Sequence, residues 1–394
     1  MSVKITEKEN YLMCLRGEQP YWVPSYSFGP MPGMPRPCTS AIFQPPFINA
    51  YRRSGGGKDV WGVNYVGSES TAGALIPEPN NFQLEDICRW RDVVKAVDLS
   101  EIDFEDQAKK GLDALYAAGL NREDSCLEFN MHAGYFQDLV GLMGFEGALC
   151  AMAEEPEEVY ALLSFLCDWY TTVLEKMIDI VKPDCIGLAD DVATWRAPFM
   201  SEKAYREIIL PFHDREARFG RERGLPITMH CCGQAMALVD DWLSIGVVQW
   251  NPAQTSNDLD AIKAKYGNKL VIAGGWDARD RLLEPDCTEE EIRQSVRDTM
   301  DRYAKGGGFM WCGGFLGAKG DMESMRRNMI LMDESARYGD TFYGNSKDIQ
   351  RGFKDGKGYS GGGAIMGLAG DERTRWKNGI IQSEAKQYCA DFYK

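Results

Sequence analysis

The sequence predicts an α/β protein: a single distorted (β/α)8 barrel (TIM barrel) with long N-terminal loops and a C-terminal extension. From about residue 101 onward, short apolar runs alternate with longer helical patterns, which is typical of parallel βαβ units. About seven such strands are predicted, and that number fits a closed barrel better than an open sheet. No Gly-x-Gly-x-x-Gly fingerprint follows a predicted strand, so a dinucleotide-binding fold is not supported.

The N-terminal hundred residues are less regular. Thr6 and Glu9 form a predicted capping box for a helix over residues 6–16, since each can satisfy the other's backbone N–H. Residues 22–28 are predicted as the first strand. A proline-rich loop over residues 30–46 is too long for a mere connection and is expected to fold over the barrel mouth.

The regular part of the chain follows in order. Strands are predicted at residues 126–130, 185–189, 225–230, 247–250, 270–273 and 308–312. Helices are predicted at residues 103–118, 135–143, 157–181, 202–223, 235–245, 259–266, 289–305 and 322–338. We therefore assign residues 1–343 to the barrel domain. Residues 344–394 leave the pattern, and we expect them to pack on the barrel or on a second subunit of a homodimer, or to be mobile.

Composition excludes several classes of function. The chain has 44 Lys and Arg against 59 Asp and Glu, a net charge of −15, which argues against nucleic acid or an anionic membrane as a partner. No apolar run reaches the ~18 residues of a membrane span. The N-terminus lacks an apolar signal core, so we expect a cytoplasmic protein with reduced cysteines.

The segment Thr228–Gly233 carries one of only three histidines in the chain. His230 and Cys232 are two residues apart at a strand end, so they point to the same side, and nitrogen with sulfur suits zinc. Cys312, at the end of another predicted strand, is the candidate third ligand. The alternative is that these thiols are buried as small hydrophobic groups among the chain's twelve cysteines, as we expect for Cys231.

These motifs together resemble the uroporphyrinogen decarboxylase superfamily. The resemblance rests on residues 137–146, Gly187–Asp191, residues 200–212, the His230–Gly233 turn and residues 251–275, and covers roughly residues 5–343. It implies a distorted TIM barrel with a central funnel. The decarboxylases grip substrate carboxylates with an arginine-bearing N-terminal segment, but the corresponding residues 24–30 contain no arginine, which argues against a tetrapyrrole substrate.

The corrinoid-dependent methyltransferases of the same superfamily carry His-x-Cys and a distant Cys as zinc ligands. Their pattern maps onto His230, Cys232 and Cys312, and residues 55–63 and 86–95 resemble the methyltransferase I components of anaerobic O-demethylases. The resemblance therefore implies transfer of a methyl group from an aryl methyl ether to the Co(I) of a corrinoid protein that docks at the barrel mouth. A thiolate-rich site leaves methylcorrinoid:thiol methyltransferase as the alternative, followed by a uroporphyrinogen-type decarboxylase and a zinc-binding protein without turnover.

Further site residues are expected at strand ends. Asp190 and Asp191 are candidates for catalysis or for a fourth zinc ligand, although either would also serve as a helix cap. The candidate substrate-binding residues are Tyr26, Asn130, His132, Trp195, Trp276 and Trp311. The tryptophans would stack on an aromatic ring, although aromatic residues are more often part of the core. His213 is predicted to be structural.

Overall fold

The structure is a computed structural model of the chain that describes residues 3–29, 38–68, 74–131, 133–317, 321–344 and 349–351. Its strands are β1 (Val3–Ile5), β2 (Ser40–Phe43), β3 (Gly57–Lys58), β4 (Asn64–Gly67), β5 (Leu75–Pro77), β6 (Cys126–Asn130), β7 (Cys185–Ala189), β8 (Ile227–His230), β9 (Val247–Ala253), β10 (Val271–Gly275), β11 (Phe309–Cys312) and β12 (Ile349–Arg351). Its α-helices are α1 (Glu7–Leu15), α2 (Ala50–Ser54), α3 (Trp90–Val93), α4 (Phe104–Ala117), α5 (Tyr135–Glu154), α6 (Pro156–Val181), α7 (Glu202–Ala204), α8 (Leu210–Arg223), α9 (Val239–Ser244), α10 (Leu259–Tyr266), α11 (Glu289–Tyr303) and α12 (Met322–Thr341).

The central element is a curled parallel sheet of seven strands in the order β11-β10-β9-β8-β7-β6-β2. Consecutive strands from β6 to β11 are neighbours, and helices follow them in the chain. This is the arrangement of a TIM-barrel-like α/β fold. The strands predicted from the apolar runs are present with small shifts of their ends, because buried parallel strands give continuous apolar runs.

Among the described residues, the central sheet has seven strands and no eighth regular strand completes the barrel. Residues 22–28, predicted as that strand, instead make individual bonds to both edges of the sheet. Tyr26 N donates to Trp311 O at 2.8 Å and Trp311 N donates to Pro24 O at 2.8 Å. On the other edge, Ile42 N donates to Phe28 O at 3.0 Å.

Strand β2 lies inside the segment predicted as a long loop, so that prediction is wrong for Ser40–Phe43. Its Ala41-Ile42-Phe43 run is apolar but short, and nearby prolines dominated the pattern. The strand forms because β6 offers a parallel partner in the register Ser40 to Cys126. Residues 30–37 of the predicted loop are outside the described residues.

Alternation along the strands separates two cores. In β11, Met310 faces the barrel interior with Tyr11 and Tyr26, whereas Phe309 and Trp311 face the layer of helices. The larger core lies between the sheet and the helices. Side chains that point into the barrel near the carboxyl ends of the strands are therefore the ones available to a site in the funnel.

A second, antiparallel sheet of β3, β4 and β5 lies before the barrel repeats begin. The ring of Tyr65 in β4 stacks on that of Tyr51 in α2, with centroids 4.5 Å apart. β5 was not among the predicted strands, because the pattern of the N-terminal hundred residues is less regular. This small sheet and α2 form one wall of the cavity described below.

None of the helices in the described ranges is long and apolar enough to cross a membrane. Residues 349–351, within the predicted C-terminal extension, form β12, which pairs in parallel with β1. Residues 352–394 are outside the described part of the chain.

Candidate metal centre

His230 and Cys232 lie on the same side of the chain at the end of β8. His230 faces the barrel interior, and the thiol of Cys232 lies 3.9 Å from its Nε2 atom. Cys231 points the other way and is completely buried in the core between sheet and helices. The alternation inferred from the sequence therefore describes the local geometry of this turn.

The turn after β8 is held by a glycine and by neighbouring loops. Gly233 has φ +91°, and a Cβ atom there would lie 2.5 Å from Thr194 O. Its N–H donates to Gln254 Oε1 at 2.6 Å. Because a side chain at this position would collide with the loop after β7, glycine keeps the ends of β7 and β8 close together.

A hydrogen bond determines which nitrogen of His230 is free. Nδ1 lies 2.9 Å from Oδ1 of Asn251, the residue that pairs with His230 across β8 and β9. An amide oxygen can only accept, so Nδ1 carries the proton and Nε2 presents a lone pair. This is the arrangement in which a partner orients a metal-binding histidine.

Asp191 completes a group of three potential ligands, which we call the open group. One ligand atom each from Asp191, His230 and Cys232 lies within 4.8 Å of the others. Asp191 Oδ1 accepts the backbone N–H of Cys232 at 2.7 Å and lies 4.0 Å from His230 Nε2. The group combines oxygen, nitrogen and sulfur, and these donors together suit zinc.

The thiols near this group are held in their protonated form when no cation is present. Burial, followed by the charge of Asp191, raises the pKa of Cys232 well above its usual range. Burial and then Asp277 raise the pKa of Cys312 to about 12. A bound divalent cation would reverse this, since it stabilises a thiolate directly.

Cys312 does not belong to the open group as the structure describes it. It is half-buried at the end of β11, packs against the barrel interior, and contributes to the raised pKa of Cys232. Two strands, β9 and β10, separate β11 from β8. The structure thus brings together two of the three predicted ligands and adds Asp191.

Asp190 has a different environment from Asp191. Its side chain is fully buried, and it accepts the backbone N–H groups of Phe136 at 2.9 Å and Gln137 at 3.2 Å. It also lies 3.4 Å from His213 Nε2. Asp190 therefore caps the start of α5, the structural role that the sequence left open beside catalysis.

None of the five predicted substrate-binding residues that the structure describes is among the residues that line the cavity described below. Tyr26 and Asn130 are buried, Tyr26 with the residues of the barrel interior and Asn130 with its amide 3.1 Å from Glu128 Oε1. Trp276 and Trp311 pack against each other between the sheet and the helices. Trp195 is 41% exposed, with the guanidinium of Arg279 over its ring, and His132 is outside the described residues.

A cavity of about 350 Å³ opens beside the open group. Asp191 and Cys232 lie in its wall. The aromatic rings that line it are those of Tyr51, Tyr65, Phe136, Phe145, Tyr170 and Phe199. A mostly apolar cavity with a few polar groups is the usual form of a small-molecule site.

These aromatic residues were not predicted, because they come from four separate parts of the chain. Those parts are the N-terminal region (Tyr51 and Tyr65), α5 (Phe136 and Phe145), α6 (Tyr170) and the loop after β7 (Phe199). The only hint in the sequence was that α5, which carries Phe136 and Phe145, begins shortly after the end of β6. The stack of Phe136 on Phe199, with centroids 5.3 Å apart, forms only in the folded protein.

Comparison with known proteins agrees with this fold. Residues 136–314 match the family described as Uroporphyrinogen decarboxylase (URO-D), and this span contains the open group. A methyltransferase from Methanosarcina mazei is among the solved structures that match, with a TM-score of 0.57 and 14% sequence identity over 85% of this chain and 99% of that chain. At this identity the similarity concerns the fold. No match is found among curated protein sequences.

Residues 136–314 therefore carry the similarity to the URO-D family, and the predicted resemblance is confirmed over these residues.

Proposed function

We propose that this protein is a zinc-dependent methyltransferase that moves the methyl group of an aryl methyl ether to the Co(I) of a separate corrinoid protein. The observation that carries the proposal is that aromatic rings and two potential metal ligands, Asp191 and Cys232, line the same cavity. The fold likeness to a methyltransferase supports the reaction class. Aromatic walls favour a flat aromatic methyl donor over methanol or a methylamine.

The residues of the open group fit zinc. Nε2 of His230 is free of the hydrogen bond that occupies Nδ1, and Cys232 and Asp191 supply sulfur and oxygen. We propose His230 and Cys232 as two ligands, with Asp191 or Cys312 as the third. When bound, zinc supplies a positive charge that favours the negative charge developing on the departing oxygen.

The side chains around the cavity bind the ring and control protons. The stacked pairs Tyr51–Tyr65 and Phe136–Phe199 present flat surfaces to a ring and exclude water from it. Tyr170 Oη donates to Asp138 Oδ2 at 2.9 Å, and burial raises the pKa of Asp138 well above its usual range. Burial thus favours the neutral form of Asp138, and we propose this side chain as the proton source for the phenolate product.

The corrinoid protein is proposed to dock at the mouth of the barrel, where the cavity reaches the surface. Phe145 lines the cavity and is 52% exposed, and Trp195 lies on the loop after β7. The partner brings the cobalt that accepts the methyl group.

The test is methylation of Co(I) cobalamin, followed by the change in its absorption spectrum. We expect methylation from guaiacol or vanillate, no methylation from methanol, methylamines or methyl thioethers, and a large loss of rate in Cys232→Ala. The outcome that contradicts the proposal is demethylation of methylcobalamin by a free thiol with no aryl ether activity, which would identify the thiol methyltransferase. Release of CO₂ from uroporphyrinogen would identify a decarboxylase. Zinc binding without any of these reactions would identify a zinc-binding protein.

A further inference from the structure

Two buried nitrogen donors at α2 line the cavity and have no partner. Asn49 precedes α2 and Arg52 lies within it, and both belong to the cavity wall. Asn49 Nδ2 and Arg52 Nε are buried, and neither has a hydrogen-bond partner among the described residues. A buried donor without an acceptor is costly, so this part of the wall is suited to an acceptor on a ligand.

Within the described ranges, the guanidinium of Arg52 has no ion-pair partner, and its Nε atom has no hydrogen-bond partner. The guanidinium instead lies over the ring of Tyr51, 5.2 Å from the centroid. Because Tyr51 stacks on Tyr65, the charge is placed next to the aromatic surface of the cavity.

Two acidic residues that line the cavity have other partners. Asp59 Oδ1 accepts the backbone N–H groups of Trp61 and Val63, each at 2.9 Å. Asp138 accepts from Tyr170, and burial raises its pKa well above the usual range. In the described ranges, neither carboxylate forms an ion pair with the guanidinium of Arg52.

The cationic part of the wall and the open group have different charged neighbours. Arg52 acts electrostatically on Tyr51, Asp59 and Tyr65. Cys232 is influenced by Asp191, Cys312 and Asp277. A ligand that binds both Arg52 and the open group must carry an anionic group at one position on its ring and the methoxy group at another.

We propose that the methyl donor is a methoxylated aromatic acid whose carboxylate binds Arg52 and Asn49 while its methoxy group faces Asp191 and Cys232. This proposal rests on the proposed function and narrows its substrate class. A single substituted ring fits a cavity of about 350 Å³, which is near the lower end of the ~300–1,000 Å³ typical of ligand sites. Arginine suits the carboxylate because its planar donors match two oxygens.

The test measures binding of the two demethylated products, 3,4-dihydroxybenzoate and catechol, by titration calorimetry on the zinc-loaded protein. These probes differ only in the carboxylate. We expect the acid to bind the wild-type protein about 10- to 100-fold more tightly, and Arg52→Gln to remove that preference while catechol binding stays unchanged. Arg52→Lys should keep part of the preference, because the charge remains but the two-pronged geometry is lost.

Arg53→Gln is the matched control, because Arg53 is the next residue of α2, is exposed and is not part of the cavity wall. It should keep the preference, and thermal melting of each variant checks that it is folded. If Arg52→Gln does not fold, Asn49→Ala and Arg52→Lys provide the comparison, and each should weaken binding of the acid only. Equal binding of both probes to the wild type, or an unchanged preference in the Arg52 variants, would overturn the proposal.

Methyl transfer from vanillate and guaiacol, measured separately, distinguishes this proposal from the proposed function. If methyl groups are transferred from both ethers and the Arg52 variants behave like the wild type, the methyltransferase proposal stands and the carboxylate site is rejected. An Arg52-dependent preference for the acid without any methyl transfer supports the carboxylate site and rejects the methyltransferase.

Discussion

Two groups of residues with similar chemistry lie close together near the ends of β7 and β8. The open group, Asp191, His230 and Cys232, faces the cavity. Behind it is a buried network of Asp190, His213, Glu216, Tyr135 and Tyr205, in which His213 Nδ1 lies 3.0 Å from Tyr205 Oη and Tyr135 Oη donates to Glu216 at 2.6 Å. Each group contains one histidine and at least one carboxylate. They differ in exposure.

In the buried network, His213 is only 1% exposed, and Asp190 lies 3.4 Å from its Nε2 atom without a hydrogen bond. In the open group, the side chain of His230 is 18% exposed, and its Nε2 atom lies near an oxygen of Asp191 and the thiol of Cys232. Residue type therefore does not distinguish a structural histidine from a candidate ligand. What distinguishes them is exposure, because a metal ion can reach only the histidine that is open to solvent.

The largest expected effect is a loss of bound metal when the open group is changed. Cys232→Ala should reduce bound zinc from about one per chain to a small fraction of that, because it removes the sulfur ligand. Cys231→Ala should keep the zinc, since its thiol lies in the core between sheet and helices. Mass spectrometry for metals on the purified proteins is the measurement.

The same measurement decides the third protein ligand. Loss of zinc in Asp191→Ala but not in Cys312→Ala identifies the carboxylate, and the reverse result identifies the second thiol predicted from the sequence. Zinc lost in Cys231→Ala and retained in Cys232→Ala would show that our assignment of the two sides is wrong.

The next largest effect is a pH dependence that belongs to the buried network. Burial raises the pKa of Glu216 from 4.5 to about 8, so between these values the folded protein keeps a proton that the unfolded chain has lost. The stability of the wild type should therefore fall as the pH rises from 5 to 9. A tenfold change in the dissociation constant corresponds to about 1.4 kcal/mol, which gives an upper limit of about 5 kcal/mol.

Glu216→Gln should remove this contribution, since the amide oxygen still accepts from Tyr135 but the side chain cannot ionise. Urea unfolding at pH 5 and pH 9 measures the difference between variant and wild type. If the difference in free energy of unfolding between variant and wild type is the same at both pH values, Glu216 is not protonated in the folded protein.

The smallest effect compares the adjacent aspartates. Asp190→Ala removes two hydrogen bonds at the start of α5 and should lower the free energy of unfolding by about 2–4 kcal/mol. Asp191→Ala, whose side chain is 35% exposed, should change it by less than about 1 kcal/mol in the metal-free protein. Denaturant unfolding with a chelator present tests both, and equal losses would mean that the two positions share a structural role.

Local patterns in the sequence were sufficient for much of the fold. The helices predicted at residues 157–181 and 259–266 correspond closely to α6 and α10, because their apolar spacing and end signals are local. β2 was missed, since a four-residue strand between prolines is stabilised mainly by its partner β6.

The sequence by itself determined that His230 and Cys232 share one side of the chain and that Cys231 takes the other, because the alternation of an extended backbone is a local property. Only the tertiary structure decided that Asp191 joins them, that Asp190 caps α5, and that Trp276 and Trp311 remain in the core. It also decided that α2 and the small sheet supply the cavity's aromatic and cationic wall. These outcomes depend on how the strand ends and loops meet in space, and spacing along the chain does not fix those distances.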